Sequence, residues 1–158
     1  MSTDCSDSFL AMPDDGGNEP LPESLTRYTG FLIAKAHQRL WSMFGEECRK
    51  MGVEPFCVGV LQMLADHGPM SQQQLGRKLR IDRTTMVKIV DHLESNKLAK
   101  RSDNPADRRA YLVENTPLGE STLATMKQVA DDMEKRLLAQ FSETERVLIR
   151  RALLTLAS

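Results

Sequence analysis

Two helix starts only eleven residues apart, at Ser71 and Asp82, leave little freedom in how residues 70–96 fold. Ser71 with Gln74 three residues on is a capping box, and Met70 and Leu75 flank it as a hydrophobic staple. Asp82 repeats the device, with Ile81 and Met86 as its staple. The interval fits only a short helix and a sharp turn. Leu75 and Leu79 give the first helix one apolar face. Met86, Ile89, Val90 and Leu93 give the second a buried stripe. Its opposite side carries Arg83, Thr84, Thr85, Lys88 and His92, a cationic, donor-rich face suited to the edge of a DNA duplex.

After Asn96 the period changes from helical to alternating. Leu98 and Lys100, then Ala110 and Leu112, read as the strands of a hairpin, turned at Asp103, Asn104, Pro105 and Ala106. Arg108 and Arg109 stand at its return, and a thin ribbon tipped with arginine fits a minor groove. The expected fold is mainly α with a small antiparallel β-wing: a winged helix-turn-helix with N- and C-terminal dimerisation helices.

Charge distribution agrees. The net charge of the 158 residues is only −1, but residues 71–112 carry +5 and residues 1–26 carry −6. The positive excess sits in the segment with DNA-reading geometry. Three cysteines without CxxC spacing (Cys5, Cys48, Cys57) suggest reduced thiols in the cytoplasm. No membrane-spanning run, secretory signal or internal repeat is read. Nothing matches a nucleophile elbow, a phosphate loop or a zinc site, so no enzyme activity, cofactor or metal is expected. His37, His67 and His92 share no ligand spacing.

The run from about Gln62 to Gly119 resembles the MarR family of bacterial transcription factors, most specifically in NPADRRAYLVENTPLG. The resemblance implies that Arg109 enters the minor groove and that Asp107 braces it by an ion pair. Three positions depart from the family pattern. His92 stands where Arg is usual, Lys97 where Gly usually ends the recognition helix, and Asn115 where Leu is usual. Asn96 or Lys97 must therefore manage the chain reversal. The resemblance also makes small phenolic or aromatic acids plausible effectors.

Around this module the chain divides as follows. Residues 1–22 are an acidic tail. Residues 23–51 read as one helix with two apolar stripes, the first dimerisation helix. Residues 52–116 are the winged helix-turn-helix, and residues 117–158 are C-terminal dimerisation helices. Thr116-Pro117 and Ser142 with Glu145 mark the last two helix starts. Two-fold assembly would place two recognition helices roughly 34–36 Å apart on an inverted-repeat operator.

The residue assignments follow. Thr84, Thr85, Lys88 and His92 meet the major groove, and Val87 a thymine methyl. Ser71, Gln72, Gln73 and Arg83 hold phosphates. Arg101 and Arg108 meet the sugar-phosphate backbone. His37 and Trp41, one turn apart, are candidates for an effector cavity. Two other readings compete: a winged protein-interaction module with an acidic partner, and thiol-based sensing through Cys48 or Cys57.

Overall fold

The computed structural model describes residues 20–105 and 111–158. These fall into two units that meet in sequence at Pro55–Phe56.

The first unit is helical. The sequence predicts one helix over residues 23–51; the structure has two, α1 (Glu23–Thr26) and α2 (Thr29–Lys50). The break falls at Tyr28, whose backbone is extended (φ −96°, ψ 112°). Thr26, Thr29 and Gly30 surround it, and all three are weak helix formers. Apolar periodicity cannot register such a break, because the stripe resumes in phase beyond it. Leu25, Tyr28, Leu32 and Ile33 are exposed. Beyond the end of α2 at Lys50, Gly52 turns the chain at φ +66°, with the Gly52 and Val53 N–H groups donating back to the Arg49 and Cys48 carbonyls.

The second unit holds the elements expected around Ser71 and Asp82. Helix α3 (Pro55–His67) buries Val60, Leu61 and Leu64 and is stopped by Gly68 at φ +76°. A two-residue strand, β1 (Met70–Ser71), precedes α4 (Gln72–Leu79) and α5 (Arg83–Ser95). Strands β2 (Ala99–Asp103) and β3 (Tyr111–Asn115) follow, then α6 (Pro117–Leu138) and α7 (Glu143–Ala157). The sheet is antiparallel with β3 central, in the order β1-β3-β2; Met70 and Arg101 both stand opposite Val113. The winged helix-turn-helix is therefore present, with one strand more than the hairpin read from sequence.

All four side-chain caps form. Gln74 N–H donates to Ser71 Oγ (3.3 Å) and Ser71 N–H to Gln74 Oε1 (2.9 Å), closing the capping box. Thr85 N–H donates to Asp82 Oδ1 (3.0 Å). Gly119 N–H donates to Thr116 Oγ1 (3.1 Å), and Glu145 N–H to Ser142 Oγ (3.4 Å). The staple residues Met70, Leu75 and Met86 are buried beside Ile89, Val90, Leu93, Leu98 and Val113. Burial at this scale contributes about 1.5–3 kcal/mol per large side chain.

The reversal after α5 falls to Lys97, at φ +60°, with the Leu98 N–H donating to the Leu93 carbonyl (2.8 Å). A left-handed non-glycine residue costs about 1–2 kcal/mol. Lys97→Gly should therefore raise the denaturant midpoint by an amount equivalent to about 1 kcal/mol. An unchanged midpoint in urea would show that the lysine carries no strain.

Candidate nucleic-acid interface

Helix α5 is held by its apolar stripe and projects the side expected of it. Arg83, Thr84 and Lys88 are exposed, and Lys88 has no ion-pair partner among the described residues. Val87 is half-buried beside them. At the start of α4, Ser71 and Gln72 are half-buried and Gln73 is exposed; Gln72 Nε2 is sealed from solvent with no hydrogen-bond partner among the described residues, so its side chain does not stand open to a phosphate. A groove of about 780 Å³ runs between α4, α5 and the sheet, lined among others by Ser71, Gln72, Gln73, Arg77, Arg83 and Arg101. It brings the expected phosphate-holding residues onto one surface. Arg77, an exposed base on α4 that no sequence pattern singles out, joins them. The only sequence signal for it is its place on the short helix six residues after the cap at Ser71.

Three further assignments change. Thr85 does not present a free hydroxyl: Oγ1 donates to Asp82 Oδ2 at 2.6 Å, so the side chain doubles the cap of α5. This bond, followed by the Thr85 N–H, holds the Asp82 carboxyl below its ordinary pKa of 3.8. A depressed carboxyl stabilises the fold above its unfolded pKa, and that contribution is lost as pH falls through the folded one. His92 is half-buried, and its Nε2 is sealed from solvent with no hydrogen-bond partner among the described residues, so it does not stand open to a groove. Arg101 is not a free cation. Its guanidinium meets Asp91 (2.6 Å) and Glu94, and its backbone N–H donates to Glu94 Oε1 (3.0 Å), so it faces the recognition helix. Asp107, Arg108 and Arg109, with the ion pair expected between the first and last, lie outside the described residues.

In the first unit, His37 and Trp41 stack on α2 with ring centroids 5.5 Å apart and planes 26° from parallel. His37 is exposed and Trp41 half-buried. Among the described residues no group of three or more His, Cys, Asp or Glu side chains could hold a metal ion, and no helix is long and apolar enough to cross a membrane.

Cys48 and Cys57 are both buried. Burial, with Glu54 and Glu47 adding to it, pushes the Cys48 thiol from an ordinary 9.0 up to about 11. Thiol sensors need the opposite shift, because the thiolate is the nucleophile. The raised pKa has a stability consequence. The protonated thiol is favoured in the fold, so its contribution is complete below pH 9.0 and is lost as pH rises to about 11. Wild type should lose about 2 kcal/mol more than Cys48→Ala across that window, read from urea midpoints at each pH. Parallel curves would refute the shift.

Comparison with known proteins places these observations. The MarR family model matches residues 58–111. The transcriptional repressor NicR of Pseudomonas putida is 30% identical over 137 residues, which cover 87% of this chain and 87% of that protein. The transcriptional repressor CouR, solved bound to a 23-mer DNA duplex, superposes with a TM-score of 0.80 at 28% identity, over 89% of this chain and 99% of that one. BpsR of Bordetella bronchiseptica, whose DNA binding is regulated by 6-hydroxynicotinic acid, superposes with a TM-score of 0.78 at 27% identity, over 87% and 98%.

Proposed function

Because the chain belongs to the MarR family of DNA-binding transcriptional regulators, we propose that it is a homodimeric repressor of inverted-repeat operators, released by a small aromatic acid. One observation carries the reading: α5 stands on a buried stripe with Arg83, Thr84 and Lys88 exposed along one side. Lys88 has the reach for guanine O6/N7 and Thr84 for a base edge. Arg83, Ser71, Gln73 and Arg77 serve as phosphate contacts around the groove, and Gln72 can offer only its backbone N–H. Arg109, oriented by Asp107, reads the minor groove, and Arg108 holds the backbone.

Dimerisation is supported by apolar surface left uncovered on the terminal helices. On α7, Val147, Leu148, Leu153, Leu154 and Leu156 are each at least half exposed. A monomer rarely keeps so many large apolar side chains of one helix in water. Residues 23–51 and 117–158 then supply the dimer body, and residues 52–116 the reading head.

For the effector, the stacked His37–Trp41 pair offers an aromatic platform. The regulation of BpsR by a hydroxylated aromatic acid favours that ligand class. Such an acid would act by preferring a head spacing that does not fit the operator.

Selection of binding sites from random duplexes tests the reading. The expected product is a pair of inverted half-sites one helical turn apart, bound by a species that sediments as a dimer. No enrichment, or a monomer at binding concentrations, would sink it. With the enriched duplex, Arg109→Ala should weaken binding at least about tenfold without changing the melting temperature, as expected for one lost specific contact. Unchanged affinity in a titration would remove Arg109 from the interface.

A further inference from the structure

The clamp on Arg101 is a charge cluster in the reading head that the DNA contacts above leave unused. Arg101 lies on β2 opposite Val113, two residues before the last paired position, Asp103–Tyr111. Its side chain is 28% exposed and touches both carboxylates of α5, Asp91 at 2.6 Å and Glu94. Its own N–H is taken by the other oxygen of Glu94. The ribbon is thus tied to the recognition helix at two points, guanidinium and backbone. Next to it Lys100 pairs with Glu114 across the ribbon (3.1 Å), which ties β2 to β3.

We propose that Arg101 is a positioning residue that fixes the angle between wing and recognition helix, so that base reading by α5 and groove entry by the wing occur in one register. The proposal rests on the reading of this head as a two-groove DNA reader. An arginine fork whose two terminal nitrogens each hold a different carboxylate is directional, and two acceptors one turn apart on α5 define an angle and not merely a distance. A rotation at Arg101 is carried outward along the paired ribbon, so a small slip at the clamp becomes a larger one at Asp103. The same pairing neutralises Arg101. It should therefore release no counterion from DNA, which separates it from a phosphate contact.

The test uses the full chain, the duplex enriched by wild type and a random-sequence duplex, with anisotropy titrations over a salt series. Two variants are compared: Arg101→Met, and Asp91→Asn with Glu94→Gln. Arg101→Met should lower the ratio of selected to random affinity at least tenfold and leave the salt slope on random duplex unchanged. The double carboxamide variant should lower the ratio similarly, although it gains two units of positive charge and binds random duplex more tightly. A salt slope reduced by about 0.9 with the ratio preserved would make Arg101 a phosphate contact and overturn the proposal. So would ratios within threefold of wild type in both variants. If Arg101→Met fails to fold by circular dichroism, the carboxamide pair decides alone, since it keeps the arginine and its packing. A wild type without preference among duplexes would remove the DNA reader itself, and the clamp's role with it.

Discussion

Gly119→Ala should destabilise the fold by about 3 kcal/mol, the upper part of the range for overpacking a tight site. The usual expectation is the reverse, because alanine is favoured over glycine inside a helix by about 1 kcal/mol. Gly119 lies in the first turn of α6, where a Cβ would sit inside the envelope of the Leu98 carbonyl oxygen, 2.9 Å from its carbon and 3.3 Å from Leu61 Cδ2. Neither neighbour can yield cheaply. The Leu98 oxygen accepts from the Thr116 N–H (3.0 Å) and Thr116 Oγ1 (3.1 Å), and Leu61 is fully buried. Thr116 Oγ1 also reaches the Lys97 carbonyl (2.6 Å). The start of α6, the exit of α5 and the base of β2 are thus tied at one point. Gly59→Ala is the internal control, since its Cβ would meet nothing within 4 Å, and it should be neutral or stabilising. Equilibrium unfolding in urea reads both. A Gly119→Ala variant as stable as wild type would show that the approach of α6 to Leu98 is looser than drawn.

That junction marks where sequence reasoning ends. The caps at Ser71, Asp82, Thr116 and Ser142 are legible because each is a bond between a side chain and a backbone three residues away. The buried stripe of α5 is legible because period and burial coincide on one short helix. What escaped is non-local. Strand β1 is only Met70 and Ser71, residues already accounted for as staple and cap, and it becomes a strand only by pairing with Val113 and Leu112, some forty residues on. Arg101 looks like any wing arginine until Asp91 and Glu94, on a different element, are found against it. Gly119 and Gly76 are close-approach glycines, the second with a Cβ position 2.9 Å from the Ile81 carbonyl oxygen. A glycine inside a helix is a hint of such contact, but it does not say with what.

Lys88→Ala should reduce affinity for the selected operator on the order of 5- to 150-fold, the equivalent of about 1–3 kcal/mol for one base contact. Affinity for random duplex should fall far less. The clamp explains why Lys88 is the residue to expect this of. The carboxylates of α5, Asp91 and Glu94, are both taken by Arg101, so the exposed lysine one turn before them keeps its charge for the groove. Arg83→Ala is the contrasting case. At the first turn of α5 and on the wall of the groove, it is placed for a phosphate. Its loss should weaken selected and random duplexes alike and lower the salt slope by about 0.9. The two variants therefore separate base reading from backbone holding in one pair of titrations. If Lys88→Ala weakened both duplexes equally, the exposed side of α5 would be a phosphate track, and specificity would have to come from the wing or from the shape of the duplex.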